Sequence, residues 1–175
     1  MALLPDESTR RGLLAAQQRW LGSMRGSDVH PTTADDLHLT LAFLGDRSSE
    51  ACRRIGQRLA EPDLRALAAD LAFAGLEVWG QRQHVGVATF VAPEPFLVAL
   101  QTVWSRLANH GWTPPTRAFV PHVTLWRAGP TAADKPGCVG RDEVAFRAGC
   151  IALMARDEAG PNRYGIVAAH PVVPS

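Results

Sequence analysis

The chain has 175 residues, 46% of them hydrophobic and 20% charged, with a formal net charge of +1. These values suit a single domain spanning 1–175 with a sizeable core, and near-neutral charge excludes a protein that coats nucleic acid through a long basic face. No apolar run approaches the roughly 18 residues of a membrane span. Three cysteines without C-x-x-C spacing, and a start with neither a basic region nor a long apolar one, point to no secretory leader and a reduced, cytoplasmic setting without membrane contact.

In chain order, Leu3-Leu4-Pro5 reads as the tail of a short strand, and Asp6-Glu7-Ser8 supply helix-start chemistry. A helix is expected from about Glu7 to Arg25, with Leu13, Leu14, Gln17 and Leu21 on one side and Gly26-Ser27-Asp28 as its stop. His30-Pro31-Thr32-Thr33 reads as a loop into an alternating run, Asp36 to Gly45. A turn at Gly45 to Ser49 then caps a helix from about Glu50 to Ala60, ended by Pro62. Strands follow over Leu71–Val78 and His84–Phe90, joined through Gly80-Gln81-Arg82. Pro93-Glu94-Pro95 opens a helix striped by Phe96, Leu100, Val103, Trp104 and Leu107, with Gly111 as its C-terminal stop. Pro114 to Arg117 leads to a second alternating run. A Gly- and Pro-rich loop, Ala128 to Gly140, precedes strands at Val144–Ala155 and Arg163–Ala169, joined by Gly160-Pro161-Asn162. Helix followed by alternating strand in each half implies a duplicated α+β unit with antiparallel sheets.

The two alternating runs contain His38-Leu39-Thr40 and His122-Val123-Thr124, 84 residues apart. Period two places each His and Thr on one face of a strand, roughly 6.5–7 Å apart at the backbone, with the leucines on the other. One His-x-Thr is most often a chance pair on a polar face; two copies on equivalent strands are not required by packing. Together they offer two imidazoles and two hydroxyls to one small anion. Histidine titrates near working pH and suits general acid and general base work alike, while threonine hydroxyls can hold non-bridging oxygens. Zinc would need three or four ligands, and no Asp or Glu shares the His face of either run, so no metal is expected.

His30, His84, His110 and His170 read as structural or solvated. Trp20, Trp79, Trp104 and Trp112 read as core or edge residues in preference to a base-stacking platform. Phe43 and Phe119 flank the motifs and favour core packing, with stacking on a base as the alternative for both. Trp126 shares parity with His122 and can line the pocket. Nearly all the basic residues are arginine, Lys135 being the only lysine; the planar guanidinium suits phosphate, and a GC-rich genome produces the same bias.

With His38-Leu-Thr-Leu-Ala-Phe-Leu-Gly45 and Arg117-Ala-Phe-Val-Pro-His-Val-Thr-Leu-Trp-Arg127 in view, the chain resembles the two-histidine phosphoesterases. Within them it resembles the bacterial and archaeal RNA 2',3'-cyclic phosphodiesterases, also called 2'-5' RNA ligases. The resemblance runs from Leu3 to about Val173. It implies a two-lobed α+β fold, with antiparallel sheets forming a central cleft and helices outside. It implies hydrolysis of RNA 2',3'-cyclic phosphate ends to 2'-phosphomonoesters, without cofactor or metal, by a monomer, and reversible 2'-5' ligation at the same site. His38 becomes the proton donor and His122 the proton acceptor, although a pseudo-two-fold site admits the reverse; Thr40 and Thr124 complete the catalytic set. Arg127 is carried over as a phosphate or ribose contact, with Phe43, Arg117 and Trp126 as further substrate-binding candidates. Strict alternation puts Arg127 on the wrong face, so it must reach around the strand end or follow a bulge.

Three features depart from the family pattern. Only Met1 to Leu4 precede Pro5, so the first strand is clipped or the start lies upstream. The strand near Val85 lacks a tryptophan. Ala155-Arg156-Asp157 replaces small hydroxyl residues ahead of Gly160 and Tyr164. Two other readings remain: a cyclic phosphodiesterase acting on small nucleotides such as an ADP-ribose cyclic phosphate, and a non-catalytic module that binds RNA ends.

Overall fold

Strand β1 (Ala2–Pro5) is buried along its whole length, and Asp6 caps helix α1 (Glu7–Gly22), its carboxylate accepting from the Thr9 N–H at 2.7 Å. The computed structural model describes residues 1–24, 28–57, 62–109, 111–129, 144–157 and 163–172, with the backbone alone at 62, 63 and 65. Helix α1 ends at Gly22, three residues short of the expected Arg25, where the Ser23 hydroxyl donates to the Trp20 carbonyl. The expected Gly26-Ser27 stop lies outside the described residues.

The stretch expected as a loop at His30 contains a short strand, β2 (Val29–Pro31), and a 3₁₀ turn, Ala34–Asp36, which leads to β3 (Leu39–Thr40). That motif strand is much shorter than the alternating run around it. Leu37, Leu39 and Leu41 are buried as the period-two pattern requires, but the N–H groups of Leu41 and Ala42 both turn to the Met1 carbonyl, Ala42 is buried as well, and Phe43 is 82% exposed. The predicted packing of Phe43 into the core is therefore incorrect.

Helix α2 (Ser49–Gln57) starts as expected, and its predicted end near Ala60 lies outside the described residues. Pro62 opens a 3₁₀ segment, Pro62–Ala68, that the sequence pattern does not signal. Strands β4 (Ala72–Trp79) and β5 (His84–Val91) form the predicted hairpin, with Gly80 at φ +93° in its turn. Helix α3 (Glu94–Ala108) buries Phe96, Leu100, Val103 and Leu107, and Gly111 takes φ +77° just beyond it. Strands β6 (His122–Ala128), β7 (Ala148–Arg156) and β8 (Tyr164–Pro171) follow. Most of the predicted loop between β6 and β7, and the predicted turn before β8, lie outside the described residues.

The fold is α+β. The strands join in the order β4-β5-β6-β3-β1-β7-β8, with β2 paired to the far end of β6 and every pairing antiparallel. The two halves repeat a unit: β1–α1–β3 and β5–α3–β6 each run strand, helix, motif strand, and the first strand of each pairs with the last. The motif strands then pair with each other at the centre. Side chains from α1 (Leu13, Trp20) and α3 (Phe96, Leu100, Val103) form one core with Leu39, Val123 and Leu125 on one face of the sheet. The opposite face is the floor of the cleft.

Candidate active site

Leu39 stands directly across from Val123, and both are fully buried on the helix-covered face. Continuing this register by one residue each way sets His38 across from Thr124 and Thr40 across from His122. All four therefore share the cleft face and are only partly buried. Opposite pairs on one face sit about 4.5–5.5 Å apart and diagonal ones roughly 7–8 Å. The two histidines thus occupy opposite corners of a small quadrilateral, with a threonine at each remaining corner.

Both imidazoles are held alike. His38 Nδ1 lies 2.7 Å from the Asp36 carbonyl oxygen and His122 Nδ1 lies 2.8 Å from that of Val120, in each case two residues back. A carbonyl only accepts, so each Nδ1 carries the proton and each Nε2 is left to the cleft. Burial lowers the pKa of His38 from its ordinary value of 6.5. The Asp36 carbonyl and carboxylate pull upward, and the Met1 ammonium and Arg127 add smaller downward pushes.

Past Thr124 the strand changes phase. Val87 pairs with Thr124 and Gly86 with Trp126, so Leu125 is the extra residue of a β-bulge. Its carbonyl accepts from the Thr32 N–H at 2.8 Å and from the Gln17 side-chain amide at 2.5 Å, and the same amide reaches the Thr32 carbonyl at 2.8 Å. Gln17, the polar residue in the apolar stripe of α1, thus satisfies the backbone that the bulge leaves unpaired. The phase change sends Trp126 into the core, 1% exposed and edge-on to Trp20 at 5.2 Å. Trp126 as a pocket-lining residue is therefore incorrect: the parity it shares with His122 in sequence is broken by the bulge. The same bulge brings Arg127 to the cleft, the second of the two routes left open by its position.

Arg127 enters a cavity of about 350 Å³ that also reaches His38, Thr124, Asp36, Arg163 and Tyr164. Burial and the nearby Arg163 charge hold the Arg127 pKa below the usual arginine range, with Tyr164 opposing. Such a pocket of converging guanidinium charge favours an anion. His30, read as a solvated loop residue, also lines this cavity; it stands across from Arg127 on β2. A second cavity, of about 250 Å³, lies between α2 and the end of α3, against Arg47, Arg54 and Trp112. It touches none of the four motif side chains.

Nothing in the sequence pattern marks Asp36 as a site residue. It is 8% exposed, and its carboxylate accepts from the Arg163 N–H at 2.8 Å, the Tyr164 N–H at 3.1 Å and the Thr33 hydroxyl at 3.0 Å. It thereby ties the start of β8 to the His38 segment and brings the Tyr164 ring edge-on to His38, centroids 5.2 Å apart. Trp79 lies against His122 at 4.5 Å, directly across from Val85, where the sequence lacks a tryptophan. Its reading as a plain core or edge residue misses that contact. Phe43 and Arg117 are exposed and do not line the cavity. Among the described residues no three His, Cys, Asp or Glu side chains cluster as a metal-ligand set.

The family model described as LigT-like phosphoesterase matches residues 3–89, a stretch that includes the first His-x-Thr. Over those residues the chain is similar to the LigT-like phosphoesterases. Over 109 residues it is 32% identical to the RNA 2',3'-cyclic phosphodiesterase of Escherichia coli K12; the match covers 61% of this chain and 59% of that protein. The chain thus spans about three-fifths of the curated relative's length. Several crystal structures share the fold. Escherichia coli LigT complexed with 3'-AMP superposes with a TM-score of 0.69 at 24% identity, over 98% of this chain and 95% of that one. A Thermus thermophilus protein superposes with a TM-score of 0.68 at 23% identity, over 98% and 95%. The second motif, at His122, falls beyond the family-model match, and it is the pairing of Leu39 with Val123 that joins it to the first.

Proposed function

We propose that this chain is a metal-independent phosphodiesterase that opens the 2',3'-cyclic phosphate at an RNA 3' end to a 2'-phosphomonoester. The observation that carries the reading is the antiparallel register of the two His-x-Thr segments, with each Nδ1 anchored to a carbonyl and each Nε2 left for proton transfer. The curated relative of known name acts on RNA 2',3'-cyclic phosphates, and LigT was crystallised with 3'-AMP, which supports a nucleotide in the same cleft.

The cavity favours one direction for the reaction. It opens beside His38, Tyr164 and Arg127, and its size falls within the range of small-ligand sites. A nucleoside seated there carries the 2' and 3' oxygens toward His38. The leaving 3' oxygen belongs to that ribose, so protonated His38 is the general acid. Water must arrive in line from the far side of phosphorus, where neutral His122 takes its proton through Nε2. The new P–O bond forms as the P–O3' bond breaks, and the phosphate stays on the 2' oxygen. Thr40 and Thr124 donate to the non-bridging oxygens, whose negative charge needs donors already in place, and Arg127 contacts the phosphate or ribose. A 5'-hydroxyl replacing water as the nucleophile attacks phosphorus in the same direction, expels the 3' oxygen and gives a 2'-5' link.

Phosphorus NMR of an RNA bearing a cyclic-phosphate end tests the reading. Conversion to a 2'-monoester in the presence of a chelator is expected, and turnover abolished in His122→Ala with RNA binding retained. A reaction stopped by chelation and restored by zinc refutes the metal-free mechanism; binding without any turnover leaves a module that only recognises the end.

A further inference from the structure

His122 is held by a ring contact as well as by its Nδ1 hydrogen bond. Trp79 closes β4, an outer strand of the sheet, and its ring meets the imidazole at a centroid distance of 4.5 Å and an interplanar angle of 60°. A ring at the end of an outer strand has little to fix it, yet this one is anchored. Its Nε1–H donates to Glu77 Oε2 at 2.8 Å, and Glu77 Oε1 lies 3.1 Å from the hydroxyl of Thr89. That hydroxyl also lies 3.2 Å from the Gly75 carbonyl, and its single proton is shared between the two acceptors. Thr89 is 2% exposed and stands directly across β5–β6 from His122. The contacts close a loop from His122 through Thr89, Glu77 and Trp79 back to His122.

The Nδ1 bond alone leaves the His122 ring able to swing, because its acceptor belongs to the exposed Val120 in the loop before β6. An indole packed on the ring removes that freedom. The first motif has a counterpart: Tyr164, at the start of the opposite outer strand, packs edge-on to His38 with its backbone tied to the Asp36 carboxylate. In each half an aromatic ring fixed by a carboxylate braces the motif histidine.

We propose that Trp79 is a positioning residue for His122, held in place by Glu77 and Thr89, and that Glu77 serves the reaction only through that indole. The kinetic part rests on the phosphodiesterase reading above; the structural part does not. Small errors in the placement of a base cost rate, on the order of a hundredfold for about 1 Å.

Imidazole NMR of the substrate-free protein, with steady-state kinetics on a 2',3'-cyclic nucleotide, tests the proposal. In Trp79→Leu the His122 ring signals should lose the indole ring-current shift while those of His38 stay. The kcat should fall by about ten- to a hundredfold with KM nearly unchanged. Glu77 is exposed, so Glu77→Leu leaves the core untouched and should move both readouts the same way by less; Trp79→Phe should recover most of the rate. Unmoved His122 signals in both Leu variants overturn the proposal, as does a raised KM with kcat intact, which would make Trp79 a substrate wall. If the wild type turns over no cyclic phosphate, the phosphodiesterase reading fails and the NMR result alone decides the role of Trp79.

Discussion

Replacing Gln17 with leucine tests how the chain brings Arg127 to the cleft. Leucine keeps the volume close and fits the buried, apolar surroundings of α1, but it removes two hydrogen bonds from one amide: to the Leu125 carbonyl at the bulge and to the Thr32 carbonyl. Each such bond contributes about 0.5–1.5 kcal/mol net, and an acceptor left buried without a donor costs more. The Leu125 carbonyl keeps the Thr32 N–H as a donor, so it is weakened without being orphaned. A loss of about 2 kcal/mol is expected, read as a drop in the urea midpoint with an unchanged slope. At this chain length the loss corresponds to a fall in Tm of roughly 4–8 °C. Relaxing the bulge also lets β6 slip toward strict alternation, which moves Arg127 away from the cavity, so KM for a cyclic nucleotide should rise by more than kcat falls. Gln17→Glu should be worse than leucine, because a carboxylate would face two carbonyl oxygens. A stability change below about 0.5 kcal/mol, the level of a neutral surface substitution, with KM unaltered would refute the idea that Gln17 holds the bulge.

Two further outcomes follow from the same geometry. A methyl at Gly86 would lie 2.0 Å from the Trp126 ring, which is itself wedged against Trp20; Gly86→Ala should cost about 1–3 kcal/mol of stability, and an unchanged denaturation midpoint would show that the ring can yield. Burial depresses the pKa of His38, so the free protein loses the proton of the proposed general acid below the ordinary histidine value of 6.5. The alkaline limb of kcat/KM should then fall below the ordinary histidine value and that of kcat higher, because bound phosphate stabilises the imidazolium; an alkaline limb of kcat/KM at or above that value contradicts the assignment of His38 as the acid.

What the sequence makes legible is what period two and helical spacing can carry. The paired motifs, the antiparallel α+β plan and most element boundaries follow from alternation and from caps such as Asp6. The failures are local and share a cause. The alternation of Leu37, Leu39, Leu41 and Phe43 predicts a long strand, yet β3 spans only Leu39–Thr40, because the backbone beyond it pairs with Met1, a distant partner that local pattern does not reveal. Strict alternation puts Trp126 on the wrong face because one extra residue in β6 reverses every position after it. A signal for that bulge does exist: Gln17 interrupts an apolar stripe, and a buried amide must find acceptors. Asp36, Glu77 and Tyr164 carry no such signal, because each acts across strands whose neighbours only the topology supplies.

The bulge also breaks the symmetry that the repeated motifs suggest. In β6 the chain continues past Thr124 and turns Arg127 back into the cleft, whereas after Thr40 it leaves the sheet, and the residue at the equivalent spacing is the exposed Phe43. Anion-binding charge and open volume therefore gather on the His38 side, against Arg163 and Tyr164, while Trp79 packs against the His122 ring on the other. A nucleoside 2'-monophosphate, the product of the proposed reaction, should seat its sugar and base on the first side. Titrated into the protein, it should shift the Tyr164 ring and Arg163 side-chain NMR signals strongly and the Trp79 indole N–H weakly. The opposite pattern would put the ribose against His122, and with it the leaving oxygen, exchanging the acid and base roles of the two histidines.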